Sequence, residues 1–407
     1  MTVAVQSRNV DIQPTEKKEA KTDGYSRVTE KDRSLAEHPE FLPVWDPRDK
    51  FPKLQPFKHR DRGLFADPQY KNLLAEATGP IKQFNVTPKL GTEVRSGIQL
   101  SQLSPAAKDD LALLVAQRGV VIFRDQDFQD KGPEFAKQWG SYYGPLHVHP
   151  VSGAPPGHPE VHVVWRGSEP TDFEIPFKRK VSNIAWHTDV SYELQPPGLT
   201  VLAMLQGPEN GGGDTLFADT VEAYDRLSPL MQSLIENLKV AHTSTDQAKF
   251  AVGKGGIERR TPVDSIHPLV RWHPVLKKKI LYFQKAFGRN ILGLKEEESE
   301  NLLSFLFDHI KNALDLQIRA RWEPGTVVVW DNRRVVHSAT LDWDSPEVRH
   351  AFRITPQAER PVHSQEEYDN WTVEKELEEL KSLEATLAAD PGDLYAALQK
   401  GLDGLKI

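Results

Sequence analysis

Short apolar runs separated by Gly- and Pro-containing turns dominate the chain between residues 85 and 360. Such runs are typical of β-strands, and helical spacing of apolar residues is rare in this stretch. The pattern predicts strands directly after Gly119 and at residues 161–165, 183–190, 199–205, 279–283, 316–322, 326–331 and 351–355. Because strands and helices do not alternate regularly, it favours an antiparallel sandwich or barrel over a doubly wound parallel sheet. We therefore expect a mainly β fold with flanking helices.

Helical periodicity is limited to a few segments. Ser104 precedes Pro105 and a stripe of apolar residues that ends at Gly119, which predicts a capped helix at residues 104–118. Further helices are expected at residues 220–237 and 295–312. These helices would flank the strands rather than connect each strand to the next.

The two ends of the chain differ in composition from its middle. Residues 1–40 are rich in charged and small polar side chains, which predicts a mobile tail. Residues 41–84 are rich in aromatic residues and proline, as in an extended arm packed on a folded body. We expect the body at residues 85–360 and an acidic helical extension at residues 361–407.

The composition excludes several kinds of chemistry. The 407 residues include no cysteine, which rules out disulfides, thiolate nucleophiles, Cys-ligated zinc and iron–sulfur clusters. No apolar run approaches the roughly 20 residues of a membrane-spanning helix, and the first residues lack the order of a secretory signal. A net charge of −7 argues against nucleic acid as the main partner. We expect a cytoplasmic protein in which nitrogen and oxygen atoms hold any metal.

His187 and Asp189 are the first candidate metal ligands. They lie two residues apart on a predicted strand, so both side chains should leave the same face. An isolated His-x-Asp is more often structural, and a second one, His59–Asp61, lies in a charged run without a strand. His337, in the strand predicted after the turn at residues 331–334, supplies a third ligand. Two imidazoles and one carboxylate with open positions suit a non-haem Fe(II) oxygenase.

Two arginines on one predicted strand suggest anion binding. Arg349 and Arg353 are four residues apart, which on a strand places them on one face about 13 Å from each other. Buried guanidinium groups are costly unless each meets an anion. A dicarboxylate cosubstrate and an acidic substrate would provide those anions, and structural Asp or Glu side chains are the alternative.

These residues together resemble a known family. The order His187-Thr-Asp189, Gly-Gly-Asp-Thr215, Trp-Asp-Asn332, His337, Arg349 and Arg353 is similar to the taurine dioxygenase family of Fe(II)/2-oxoglutarate-dependent oxygenases, most closely to its fungal sulfonate dioxygenases. The similarity covers roughly residues 85–360. It implies a double-stranded β-helix, or jelly-roll, core.

The resemblance also implies roles for individual residues. His187, Asp189 and His337 would bind Fe(II), and Arg349 with Thr215 would hold the distal carboxylate of the cosubstrate 2-oxoglutarate. The positions that face the substrate in the family are His149, Asn183, Phe287 and Arg353. Each of these has an ordinary alternative: His149 as a loop cap, Asn183 as a turn residue, Phe287 as a core residue and Arg353 as a partner of a structural carboxylate.

The sequence leaves the identity of the substrate open. The resemblance implies a small anionic substrate and O2, most closely an alkyl sulfonate that is hydroxylated next to sulfur and releases sulfite and an aldehyde, with succinate and CO2. Ser152 departs from the family pattern in a way that argues against an amine-binding pocket for taurine itself. Further departures around Phe287, at Gln284, Gly288 and Asn290, favour an alternative substrate, an amino acid or other small carboxylate. A non-catalytic jelly-roll binding protein is the second alternative. The family often forms dimers or tetramers, so a homo-oligomer is expected.

Overall fold

The computed structural model describes residues 28–168, 182, 184–209, 211–253, 256–343 and 346–389. Its strands are β1 (Lys82–Asn85), β2 (Thr92–Arg95), β3 (Val120–Phe123), β4 (His162–Arg166), β5 (Leu199–Gln206), β6 (Thr215–Asp219), β7 (Lys239–Thr243), β8 (Asp264–Pro268), β9 (Val270–His273), β10 (Lys278–Leu281), β11 (Gly288–Ile291), β12 (Gln317–Ala320), β13 (Val327–Asp331), β14 (Val335–Ala339) and β15 (Arg349–Ile354). Its α-helices are α1 (Glu30–Leu35), α2 (Lys71–Ala75), α3 (Pro105–Arg118), α4 (Gly132–Ser141), α5 (Thr220–Asp225), α6 (Pro229–Ile235), α7 (Thr245–Gly253), α8 (Glu296–Asn312), α9 (Gln365–Asn370) and α10 (Val373–Ala389).

Two sheets form the centre of the fold. The large sheet has the order β1-β2-β3-β13-β5-β15-β4 and the small sheet the order β12-β6-β14. Neighbouring strands run antiparallel in both, apart from the parallel pair β2 and β3. A further sheet, β11-β7-β8, and the hairpin of β9 and β10 pack with α5 and α8 around a second apolar cluster.

The core lies on both faces of the large sheet, as the alternation along β13 shows. Val327 and Val329 belong to the cluster under α3 and α4, whereas Val328 and Trp330 belong to the cluster shared with the small sheet. Trp330 meets Phe217 of β6 with ring centroids 5.6 Å apart. Two facing antiparallel sheets with helices outside are the jelly roll that the sequence predicted.

Most predicted elements agree with the structure to within a few residues, and α3 shows why. The Ser104 hydroxyl accepts the N–H of Ala107 at 3.3 Å, and Gly119 ends the helix with φ 70°, a conformation that favours glycine. The helix predicted at residues 220–237 was wrong as a single element. Pro229 lacks the N–H that a continuous helix needs, and the Ser228 side chain caps a new helix, α6.

Residues 184–190, the described part of the strand predicted at 183–190, do not form that strand. His187 forms a single bridge to His337 on β14, and the chain then turns at Asp189 and Val190, where Val190 has φ 42°. The Asn332 side chain holds this turn, since it accepts the Asp189 N–H at 2.9 Å and donates to the Asp189 carbonyl at 3.0 Å. His187 and Asp189 therefore share a side because of the turn, not because of a strand pleat.

The chain outside the body packs on it through polar contacts. Asp61 of the proline-rich arm is buried and lies 2.6 Å from Arg333. Residues 28–40, which we expected in a mobile tail, include α1, whose buried Asp32 accepts the N–H and hydroxyl of Ser168 at 3.1 and 2.6 Å. The folded chain therefore begins earlier than its composition indicated, because a polar segment can be anchored by one buried carboxylate.

Residues 1–27 and 390–407 lie outside the described residues. None of the described helices is long and apolar enough to cross a bilayer.

Candidate metal centre and substrate cavity

His187, Asp189 and His337 converge at one point. One ligand atom of each lies within 4.8 Å of the other two. Asp189 Oδ1 is 3.7 Å from His187 Nε2 and 3.6 Å from His337 Nε2. Two ligands at right angles on a metal bonded at about 2.1 Å are about 3 Å apart, so a small contraction would place all three on a single ion.

Backbone pairing holds the two imidazoles together. The N–H of His187 donates to the carbonyl of His337 at 3.0 Å, and the N–H of His337 donates back at 2.7 Å. The His187 ring Nδ1 donates to the Ala185 carbonyl at 2.8 Å, which leaves the Nε2 lone pair for a metal. Burial, with the neighbouring His187, lowers the pKa of His337 to about 3, so that its imidazole stays neutral.

The donor set fits a divalent transition metal. Asp189 is buried; burial raises its pKa, but the positive charge of Arg353 outweighs this and holds the pKa below its usual value. Its Oδ2 atom is buried without a hydrogen-bond partner among the described residues. A buried carboxylate with an unpartnered oxygen and two imidazoles match the ligand preference of non-haem iron.

Arg349 lies at the start of β15 and has no carboxylate within salt-bridge distance among the described residues. Its Nη2 donates to the Gly213 carbonyl at 3.2 Å, and its buried Nε has no partner. Burial and the charge of Arg166, its neighbour on β4, lower the pKa of Arg349 to about 10. This buried, still cationic group is suited to an incoming carboxylate.

Thr215 lies at the start of β6, directly after the turn at residues 211–213. Its hydroxyl oxygen accepts the Trp322 indole N–H at 3.2 Å, which leaves the hydroxyl hydrogen free to donate. Gly213 adopts φ 66°, and a Cβ there would lie 2.8 Å from Arg349 Nε and 2.8 Å from Trp343 Cζ3. The glycine run thus permits a close approach of the turn to Arg349.

Arg353 lies at the other end of β15 and is paired. Its Nη1 donates to Asp189 Oδ1 at 2.5 Å, and its Nη2 donates to His162 Nδ1 at 2.6 Å. The alternative considered for Arg353, a carboxylate of the protein itself, is thus present, but that carboxylate belongs to the candidate metal centre.

A cavity of about 270 Å³ is lined by two of the three candidate ligands, His187 and Asp189. His187, Asp189 and Arg353 line its floor, and His149, Ser152 and Phe287 line its walls. Of the four residues predicted to face the substrate, His149, Phe287 and Arg353 line this cavity, and Asn183 lies outside the described residues.

Two of the departures from the family pattern have structural reasons. Gln284 is buried, donates to the Ser191 hydroxyl at 2.8 Å and accepts the N–H of Phe287 at 3.0 Å. A Cβ at Gly288 would lie 2.7 Å from the Phe283 ring. The Gln284 side chain thus holds the backbone of Phe287 at the cavity wall, and the lack of a side chain at Gly288 leaves room for the Phe283 ring.

Three cavity residues were missed by the sequence reasoning. His162 was treated there as structural, and Gln247 and Phe250 of α7 were not considered, yet all three line the cavity. His162 pairs in register with Arg353 across β4 and β15. A lone histidine in a predicted strand carries no signal of that pairing, and only the strand order reveals it.

Comparison with known proteins decides the family. Residues 82–355 match the family model described as taurine catabolism dioxygenase TauD, TfdA family. The chain belongs to the TauD/TfdA family.

Relatives of this TauD/TfdA protein have related descriptions. It is 52% identical over 345 residues to an alpha-ketoglutarate-dependent sulfonate dioxygenase of Saccharomyces cerevisiae. The matched region covers 84% of this chain and 83% of the relative. It is 42% identical over 344 residues to the alpha-ketoglutarate-dependent dioxygenase cnsM of Penicillium expansum, over 83% of this chain and 94% of that one. A taurine dioxygenase structure from Burkholderia xenovorans superposes with a TM-score of 0.55 and 29% identity, over 69% and 91% of the two chains. The predicted family, the jelly-roll fold and the enzyme class, a 2-oxoglutarate-dependent dioxygenase, are confirmed (2-oxoglutarate and alpha-ketoglutarate are the same compound).

Proposed function

We propose that this TauD/TfdA protein uses Fe(II) and 2-oxoglutarate to oxidise a small alkyl sulfonate at the carbon next to sulfur. One observation carries the proposal: ligand atoms of His187, Asp189 and His337 lie within 4.8 Å of one another, and Arg353 pairs with Asp189 at the edge of the cavity. A metal held there would have Arg353 beside it, and Arg349 would serve as a second anion-binding residue from the other end of β15.

The three ligands and Fe(II) would have different roles: the residues bind the ion, and the ion activates O2. His187 Nε2, a carboxylate oxygen of Asp189 and His337 Nε2 would hold the ion, and the described contacts leave these atoms available. When bound, the ion supplies the activation of O2 that couples the oxidation of the cosubstrate to oxidation of the substrate. The chain's own contribution is to orient the two organic reactants around that ion.

Arg349 and Thr215 are proposed to bind the distal 2-oxoglutarate carboxylate. Arg349 offers a buried Nε–H without a partner, and Thr215 offers its hydroxyl hydrogen. A guanidinium and a carboxylate form strong charge-assisted hydrogen bonds in such a buried place. The cosubstrate would thereby be held by the residues at one end of β15 and reach the metal with its other end.

Arg353 and His149 are proposed to hold the anionic group of the substrate against the Phe287 wall. Asn183 belongs to this proposal by its position in the family pattern alone. Hydroxylation next to sulfur gives a carbon that bears both a hydroxyl and the sulfonate. The hydroxyl loses its proton, a C=O bond forms, and the C–S bond breaks with its electron pair leaving on sulfite. The products are an aldehyde, sulfite, succinate and CO2.

A substrate panel tests this proposal. The purified protein with Fe(II), 2-oxoglutarate and O2 is given alkyl sulfonates of increasing length, amino acids and simple carboxylates, and both succinate and sulfite are measured. We expect substrate-stimulated succinate and equal amounts of sulfite for at least one sulfonate. Succinate formed with amino acids or carboxylates, and never with a sulfonate, would favour the alternative substrate class. No substrate-stimulated succinate with any compound would favour the binding-protein alternative.

A cytoplasmic location and assembly into homo-oligomers also stay predictions. Size measurement in solution tests the second.

A further inference from the structure

The substrate end of the cavity is lined by hydrogen-bond donors. Arg353 has donors only, because a guanidinium carries no acceptor. His149 and His162 stack beside it with ring centroids 4.3 Å apart, and both line the cavity. What each imidazole can offer depends on which of its nitrogens carries the proton.

The contacts of the two rings fix their protons. His149 Nδ1 accepts the backbone N–H groups of Val151 and Ser152 at 3.3 and 3.0 Å. His162 Nδ1 accepts from Arg353 Nη2 at 2.6 Å. A nitrogen that accepts carries no hydrogen, so the proton of each neutral ring lies on Nε2. Neither Nε2 has a hydrogen-bond partner among the described residues.

The two rings are also kept neutral. Burial, together with the positive charge of Arg353, holds the pKa values of both His149 and His162 well below their usual range. Each ring therefore offers a single donor to the cavity at neutral pH. The site presents an arginine and two Nε2–H groups, and none of the three presents an acceptor.

We propose that His162 Nε2–H is a third donor for the substrate's anionic group and that it selects a tetrahedral –SO3⁻ group over a carboxylate. This inference rests on the proposed function and deepens it. A –SO3⁻ group has three acceptor oxygens, one for each of Arg353, His149 and His162. A carboxylate has two oxygens in one plane and would leave one donor without a partner, a loss worth roughly tenfold in affinity. Both an alkyl sulfonate and an alkyl sulfate ester carry this group.

Two substitutions of His162 separate recognition from structure. His162→Leu removes the donor at similar volume, whereas His162→Gln keeps an N–H donor near the position of Nε2. For His162→Leu we expect the KM and the anaerobic calorimetric Kd for an alkyl sulfonate to rise about tenfold, with kcat and the KM for 2-oxoglutarate changed less than about threefold. His162→Gln should recover most of the affinity. A carboxylate of the same chain length, used as a competitor, should lose much less affinity in His162→Leu.

A histidine outside the cavity supplies the matched control. His158 lies near the carboxylate of Glu134 at 3.5 Å and does not line the cavity, so His158→Leu should leave all these values unchanged. A sulfonate and a sulfate ester of equal chain length are compared in parallel, with release of sulfite or sulfate identifying which of the two is oxidised. An equal effect of His162→Leu on their affinities would support recognition of the shared –SO3⁻ group.

The outcomes distinguish this inference from the function on which it rests. If the unaltered protein oxidises sulfonates and His162→Leu binds them as before, the role of His162 is wrong and the function stands. If His162→Leu lowers kcat, 2-oxoglutarate affinity and thermal stability together and His162→Gln rescues none of them, the residue is structural and the inference also fails. If the unaltered protein neither binds nor oxidises any sulfonate or sulfate ester, the –SO3⁻ assignment itself is overturned.

Discussion

The two ends of β15 carry the same side chain in opposite settings. Arg349 has a backbone carbonyl as its hydrogen-bond acceptor and a buried Nε without one. Arg353, four residues later, donates to a carboxylate and to an imidazole. Among the described residues, Arg349 therefore has no carboxylate within salt-bridge distance, whereas the carboxylate that pairs with Arg353 belongs to the candidate metal centre.

This difference indicates how the two ends discriminate between ligands. At the Arg349 end, an incoming carboxylate would supply the missing charge, which favours one particular dianion strongly. At the Arg353 end, Asp189 already balances the guanidinium, so that hydrogen-bond geometry with His149 and His162 has more weight than charge. Under the proposed function, the first end would bind the constant cosubstrate and the second end would select the substrate.

The largest expected effect comes from Asp189, which is a candidate metal ligand and also pairs with Arg353. Asp189→Ala removes a metal ligand and leaves the Arg353 guanidinium buried without its carboxylate partner. We expect turnover to fall by at least about 1,000-fold and bound iron to fall with it, since even residues that only support metal ligands cost about 10- to 100-fold. Asp315→Asn is the control, because that exposed carboxylate pairs with Arg226 away from the cavity. Full activity of Asp189→Ala would remove it from the ligand set.

Separate replacement of the two arginines tests whether the ends act independently. Arg349→Gln should raise the KM for 2-oxoglutarate at least about 30-fold and change the KM for the organic substrate little, because a buried charged contact is worth about 2–5 kcal/mol. Arg353→Gln should do the reverse. Steady-state kinetics with each reactant varied at saturating levels of the other measures both values, at equal iron content. Equal shifts of both KM values in both variants would contradict the assignment of 2-oxoglutarate to Arg349 and of the organic substrate to Arg353.

The turn at Gly213 should affect the Arg349 end alone. A Cβ there would lie 2.8 Å from Arg349 Nε, and φ is 66°, so Gly213→Ala combines crowding with backbone strain. We expect 2-oxoglutarate to bind about tenfold more weakly, as measured by anaerobic calorimetry. Gly157→Ala is a matched control, because φ is 78° there but a Cβ would meet nothing within 4 Å. Similar losses in 2-oxoglutarate affinity in both variants would assign the effect to strain rather than to Arg349.

A smaller effect should follow from pH at the Arg353 end. The pKa of His162 is held well below 6.5 in the folded protein by burial and by Arg353, whereas the unfolded chain takes up the proton near pH 6.5. The stability that depends on the neutral ring is complete above that pH and decreases as the pH falls below it. At pH 5.5 the cost is about 1 kcal/mol for each such histidine.

Urea unfolding of the metal-free protein at pH 7.5 and 5.5 measures this dependence. His162→Leu should reduce the difference in the free energy of unfolding between the two pH values by about 1 kcal/mol. An unchanged difference would show that His162 takes up its proton as readily in the folded protein as in the unfolded chain, and would contradict the claim that burial beside Arg353 keeps the ring neutral.

Sequence reasoning reached the fold because apolar alternation and capping residues act locally. The strand at Val327–Asp331 and the helix that begins after Ser104 follow from their own side chains. The same reasoning placed His187 and Asp189 on a strand, which was wrong, because a hydrogen bond from distant Asn332 shapes that turn.

Candidate site residues could be predicted where their spacing along the chain follows a family pattern. They could not be predicted where their position depends on the order of strands in the sheet. The three candidate ligands, Arg349 and Arg353 were found from their spacing on predicted strands, and the family resemblance then implied a role for each. His162 was not, since its position beside Arg353 arises from the pairing of β4 with β15, 191 residues apart at this point. Long-range pairing of this kind leaves no local pattern.

The central claim is that His187, Asp189 and His337 hold one ferrous ion between the two ends of β15. A crystal structure of the anaerobic complex with Fe(II) and 2-oxoglutarate tests it most directly. We predict iron bonded to both Nε2 atoms and to an Asp189 oxygen, with the distal 2-oxoglutarate carboxylate on Arg349. Iron bound elsewhere, or a His337 ring turned away from it, would contradict the account.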